Sequence, residues 1–188
     1  MGNESSTVTL YSAQTDVVAA VIERDGICYS KAEYIRKKYQ ESAPIFLTAY
    51  SWFVSQMPNY VKKPDGAEYP YWAFKDLYNV DQSDNILNLT VPSDEAVFFD
   101  MMDWNKVMQL RYIGENEEDE KKFFMELAQR GLNWNDVMLT SFYPEWKQKI
   151  MKSWERLFRH HEQIKSGDDS CVHSVQAGLW CIKKEWIK

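Results

Sequence analysis

Glycine, cysteine and histidine are scarce in this chain, with seven, three and three among 188 residues. So few glycines leave little backbone able to close around a phosphate, and no GxGxxG or GxxxxGK[ST] loop is present. The HExxH, GxSxG and EF-hand patterns are missing too, so zinc-protease, serine-hydrolase and calcium-sensor chemistry have no foothold. Cys28, Cys171 and Cys181 make no CxxC pair and are odd in number, as expected of free thiols in a reducing compartment. No apolar run approaches the ~20 residues of a membrane span. The opening MGNESST lacks a basic stretch followed by an apolar one, so no secretory leader is expected and a cytoplasmic location is. Gly2 and Ser6 fit a myristoylation pattern, but no basic patch supplies the second signal that stable anchoring needs.

Positive charge is also short. Lys and Arg number 22 against 28 Asp and Glu, a formal net charge of −6. The basic residues read as scattered or set beside carboxylates. A duplex binder neutralises several phosphates at once, so general nucleic-acid binding is not expected, although a small local phosphate site is compatible with this balance.

Aromatic residues are plentiful: 8 Trp, 11 Tyr and 9 Phe. A chain of this length buries roughly 70% of its unfolded surface and needs no disulfide or metal staple. Rings on this scale exclude disorder and predict a core built around large side chains. Without repeats or low-complexity stretches, the chain reads as a flexible tail, 1–7, followed by one domain, 8–188.

Val8 to Tyr11 is β-rich. Asp16 to Arg24 reads as a helix with Thr15 as cap, a Val17–Val18–Val21–Ile22 face and Gly26 as its stop. Ile27 to Tyr29 is extended, and Ser30 with Glu33 forms a capping box for a helix to about Tyr39. Pro44 starts a helix carrying Phe46, Tyr50, Phe53 and Met57, ended by Pro58. After the Pro64-Asp65-Gly66 turn, strands are expected at Tyr69–Phe74, Ile86–Val91 and Ala96–Phe99. Trp104, Val107 and Met108 mark a brief helix, the acidic run from Glu115 to Glu120 leads into another, and Pro144 opens one running to about Phe158. Gly178 to Ile182 predicts a buried last strand, with a helix over Gln176–Glu185 as the alternative. Strands segregated in this order predict an α+β fold with a mixed, largely antiparallel sheet and helices packed on it.

Chemistry-bearing clusters are few. His160, His161, Asp168, Asp169, Cys171 and His173 carry zinc-ligating groups, but at a spacing that matches no closed site. A polar loop after a helix is the expectation, and no metal is assigned. Cys171 and His173 would share one face of a strand as nucleophile and base, yet Asp168 and Asp169 would raise the thiol pKa. Glu68, Asp100, Asp103, Glu155 and Glu185 are read as solvated charge. Trp52 and the Tyr69-Pro70-Tyr71-Trp72 stretch have the flat rings that stack a nucleobase, at ~1–3 kcal/mol per ring, or that fill a core.

The strings TLYSAQ, AEYPYWAF, VPSDEAVFFDMMDWNKVMQLRY, SWERLF and VQAGLWCIKKEWI resemble the bacterial and phage family named domain of unknown function 3841, from about Val8 to Ile187. That family brings no established activity. At the level of layout, a first strand followed by a helix and glycine, a central aromatic strand and a last strand preceded by Gln176 resemble ADP-ribosyltransferases. There a first-strand His or Arg and a third-motif Glu hold NAD and stabilise an oxocarbenium-like transition state. The matching regions here offer Ser12 and Gln14, and Gln176. A neutral amide can bond a ribose hydroxyl but brings no charge to a developing cation. The resemblance therefore implies NAD or another nucleotide at a cleft of Tyr11, Gln14, Tyr71, Trp72 and Gln176, with degenerate or atypical catalytic residues. Against it stands a binding domain that meets a protein partner through an exposed aromatic patch.

Overall fold

Strand β1 (Thr7–Gln14) and helix α1 (Asp16–Asp25) open the computed structural model, which describes residues 6–31 and 43–188. Gly26 ends α1 at φ 77°, a left-handed geometry that a residue without Cβ adopts freely. Thr15 flanks the helix without a side-chain cap bond. Strand β2 (Ile27–Tyr29) follows; the helix expected from Ser30 to Tyr39 lies outside the described residues, as does most of the tail. Helix α2 (Ala43–Gln56) runs into a 3₁₀ turn, Met57–Asn59, that holds Pro58. Strands β3 (Tyr71–Phe74), β4 (Asn85–Pro92) and β5 (Ala96–Asp100) then lead into α3 (Met101–Met108).

The remaining helices are α4 (Glu117–Gln129), α5 (Trp134–Leu139), α6 (Pro144–Ser153), which tightens into a 3₁₀ stretch over Trp154–Phe158, and α7 (His161–Lys165). The side chains of Asp100, Asn116 and Asn133 accept backbone N–H bonds from Met102, Asp119 and Asp136 at 2.9, 2.9 and 3.0 Å, which fixes where α3, α4 and α5 begin. Helices α5 and α7 are too short to show a period and were not legible in the sequence. Among the described residues no helix is long and apolar enough to cross a membrane.

Five strands form one sheet in the order β4-β1-β3-β6-β5, with β6 at Val175–Leu179, and every neighbouring pair is antiparallel. The expected α+β class and antiparallel character hold. The C-terminal reading needs correction. In place of one strand, β6 and β7 (Cys181–Lys183) belong to different sheets, and β7 pairs with β2 in a two-stranded ribbon. Trp180 makes the break, buried with its indole N–H bonded to the Val61 carbonyl at 3.0 Å.

Both edges of the large sheet are partly covered. Outside β5, His161 Nδ1 accepts the Phe98 N–H at 3.0 Å. Outside β4, Leu89 bridges Ile187, and the Lys188 N–H bonds the Asn88 carbonyl at 3.0 Å. Edge groups satisfied this way offer no template to another chain.

The strand pleat divides the side chains between two cores. On one face Leu10, Leu89, Ala73, Ala177 and Phe98 pack with Ile22, Ile182 and Trp186. On the other, Trp72 and Phe99 meet Phe53, Trp104, Trp154 and Phe158 from the helices. Phe53 is the hub, with ring centres 5.0 Å from Trp72, 5.3 Å from Phe99 and Trp104, and 5.4 Å from Phe158. Tilted and edge-on ring pairs of this kind add ~0.5–1.5 kcal/mol each beyond simple burial. Gly178 makes room for the hub, since a Cβ there would lie 3.0 Å from the Phe53 ring.

Candidate functional site

The register lines up Asn88, Tyr11, Phe74, Gln176 and Phe99 as a row across all five strands. Directly opposed residues share a face, so Tyr11 and Gln176 point to the helical side, as does Trp72. Gln176 is 3% exposed, and its side chain makes no hydrogen bond among the described residues. On the same face but three strands away, Asn88 Oδ1 and Thr90 Oγ1 are buried without hydrogen-bond partners among the described residues. Trp72 is committed to the core: its indole N–H bonds Tyr50 Oη at 2.8 Å, and Phe53 stands edge-on to its ring.

Gln14 and Tyr71 face the other way. Gln14 Nε2 donates to Ser12 Oγ at 2.8 Å, and Ser12, fully buried, donates to the Trp72 carbonyl at 2.7 Å. Tyr71 Oη lies 3.1 Å from Cys28 Sγ in the aliphatic core. Of the five candidates, then, the sheet gathers Tyr11, Trp72 and Gln176 on one side and puts Gln14 and Tyr71 on the other.

The His/Cys/Asp stretch separates as well. His161 is buried, its pKa lowered chiefly by that burial, while His160 lies outside the core. His173 is exposed and turns Nδ1 to Asp100 Oδ2 at 3.1 Å rather than towards a thiol. Among the described residues no three His, Cys, Asp or Glu side chains are arranged to hold a metal. The reading of Asp100 and Asp103 as solvated charge is overturned, for both are buried. Asp100 accepts from Met102 N–H and His173 N–H, and Asp103 accepts from Arg159 Nη2 at 2.8 Å, so each charge is matched by donors. Trp52 is core, stacked on Phe158.

A concavity of about 670 Å³ opens elsewhere, between α4 and α6 with its 3₁₀ extension. Asp119, Lys122, Phe123 and Glu126 recur at helical spacing and form one wall. Lys149, Lys152, Arg156 and Arg159, three or four residues apart, form the other. These four cations form a basic stripe, although in the sequence the basic residues read as scattered. Its spacing was visible, but only the chain's turn through α6 puts the four cations on one side. The floor is the Tyr112–Phe123 pair, stacked 4.0 Å apart at 7°.

A strained turn places Tyr112 there. Leu110 follows α3 at φ 55°, its N–H bonded to the Val107 carbonyl and that of Arg111 to the Lys106 carbonyl, both at 2.9 Å. Glycine is the usual residue in this motif, and burial of the Leu110 side chain offsets the strain. The 113–115 loop is then clamped. Arg156 donates to the Ile113 carbonyl at 3.0 Å and to Glu115 at 3.1 Å, and Arg159 reaches the Gly114 carbonyl at 3.3 Å. Asp119 is held below the usual carboxylate range by the Glu115 N–H first, with help from Tyr112 Oη, so it is ionised in the groove. Lys122, Lys149 and Lys152 form no close ion pair among the described residues, although Lys122 helps lower the Asp119 pKa and Lys149 sits 4.5 Å over the Trp146 ring.

An antiparallel five-stranded sheet carrying an aromatic helical half with a groove of mixed charge makes this an α+β domain of sheet-and-helix type. The chain belongs to the family described as Domain of unknown function (DUF3841), whose model matches residues 9–188. No curated protein and no solved structure matches it.

Proposed function

We propose that the chain is a binding domain that meets a protein partner through its helical half. The observation that carries this reading is the groove between α4 and α6: it joins an aromatic floor to three lysines that form no close ion pair among the described residues. On the same helices and their connections Met125, Leu139 and Phe142 are exposed, Phe142 at 78%, and Trp134 and Trp146 are only partly covered. Apolar and aromatic groups beside a polar rim are the composition of a protein-recognition surface. A photoreactive amino acid placed at Lys149 is expected to give a defined protein adduct in cells, while one at Val17, exposed on α1, gives none. No adduct from the groove, or equal labelling from both positions, would remove this reading.

A second reading rests on a separate observation. Asn88 and Thr90 carry buried polar atoms without hydrogen-bond partners among the described residues, and Gln176, 3% exposed, shares their face on the Tyr11 side of the sheet, which favours a small ligand rich in hydrogen-bonding groups, such as NAD or another nucleotide. Gln176 would bond a hydroxyl and Tyr11 would lie against a ring. Thermal-shift titration with NAD and ADP-ribose tests it: stabilisation is expected, and its loss in Gln176→Ala. An unchanged melting temperature at millimolar ligand would sink it.

A further inference from the structure

We infer that the α4–α6 groove takes an acidic, extended segment of its protein partner, its carboxylates spaced along the basic wall. This rests on the partner-binding reading above and adds the chemistry of the ligand. The two arginines of the wall are spent on structure. Arg156 holds the Ile113 carbonyl and Glu115, and Arg159 holds Asp103 and the Gly114 carbonyl. They keep the wall rigid. The lysines form no close ion pair of their own among the described residues, and ammonium groups in an open groove are placed to meet carboxylates from outside.

Length and charge narrow the occupant. From Lys149 to Lys152 and Arg156 the stripe runs for about 10 Å at ~1.5 Å per residue, the reach of three or four extended residues. Asp119, Glu126 and Glu155 also line the groove. Three carboxylates repel a continuous phosphate backbone, and the chain as a whole carries −6. A peptide whose acids are separated by apolar or basic residues avoids that repulsion, and it can lay a side chain over the Tyr112–Phe123 stack. Charge complementarity of this mixed kind fixes register and excludes wrong partners more than it adds raw affinity.

The test is selection of short random peptides displayed on phage against the whole chain, followed by anisotropy with the labelled winners. Enriched peptides are expected to carry spaced Asp or Glu and to bind more weakly as salt rises, because exposed charges are screened beyond ~8–10 Å at physiological ionic strength. Combining Lys122→Glu with Lys152→Glu should weaken them about tenfold or more. Lys121→Glu, on the same helix but outside the groove, should leave them unchanged; Lys122→Gln with Lys152→Gln serves if charge reversal disturbs folding. Neutral or basic winners, winners indifferent to the lysine changes, or a single-stranded oligonucleotide that binds more tightly through the same lysines would overturn the inference. So would a selection with no winner. A groove cross-link that persists beside such a result would leave the partner-binding reading standing and remove only its acidic chemistry.

Discussion

The two faces of the central sheet are packed by different chemistry. The side against α1 and the β2–β7 ribbon is filled mainly by Leu, Ile, Val and Ala. The side against α2 to α6 is a lattice of Trp, Phe and Tyr around Phe53. Aliphatic side chains fill space and do little else. Each buried tryptophan also brings an N–H that must find an acceptor, so rings on the second face tie down distant backbone. Trp154 reaches the Arg111 carbonyl at 2.6 Å, and Trp134 the Gln109 carbonyl at 3.2 Å. Those bonds shape the stretch that sets Tyr112 in the groove. The aromatic face therefore builds the candidate site, and the aliphatic face supports it.

Three substitutions would sharpen or break this contrast. The largest effect is expected from Trp154→Ala, which empties a fully buried site and strands the Arg111 carbonyl. It should lower the unfolding free energy by ~3–5 kcal/mol in urea denaturation. Hydrogen exchange at residues 111–115 should rise even in native conditions, whereas Leu10→Ala, on the aliphatic face, should destabilise without that local signature. Equal exchange in both variants would erase the distinction.

Next comes Gly178→Ala. The added methyl meets the Phe53 ring 3.0 Å away, so the hub must shift. A loss of about 1–3 kcal/mol is expected from overpacking, and pairing it with Phe53→Leu should recover part of it. Independent, additive losses would show that ring and glycine are not matched.

The smallest effect joins the two faces at the β5 edge. His161 packs against Phe98 on one side and Tyr60 on the other, and accepts the Phe98 N–H. Burial lowers its pKa, so the folded state resists a proton that the unfolded chain accepts at the ordinary value near 6.5. The contribution is complete above that value and is lost as pH falls through it towards the lower folded pKa. The melting temperature should drop between pH 7 and about 5, and the slope should flatten in His161→Asn. An identical slope in the variant would assign the acid sensitivity to other groups.

How much was legible follows from what each signal depends on. Alternation in Leu87, Leu89 and Val91, and the glycine after Ile22, are local facts, and β4 and the end of α1 fell where they predicted. The last strand was misread because GLWCI looks like one apolar run; only the sheet packing shows Trp180 turning the chain from one sheet to another. Asp103 read as a surface acid because its partner, Arg159, lies 56 positions away. The basic stripe was half visible in the spacing of Lys149, Lys152, Arg156 and Arg159, but nothing local said that α4 would stand opposite it.

By itself the sequence determined the class of fold, the acidic balance and the aromatic core, because these depend on composition and short-range period. Tertiary structure decided which residues meet. It turned Gln14 and Tyr71 away from Gln176, since strand pleating sends alternate side chains to opposite faces. It also brought Tyr112, Phe123 and the lysines of two helices together around one groove, a meeting made by long-range packing that no stretch of chain encodes alone.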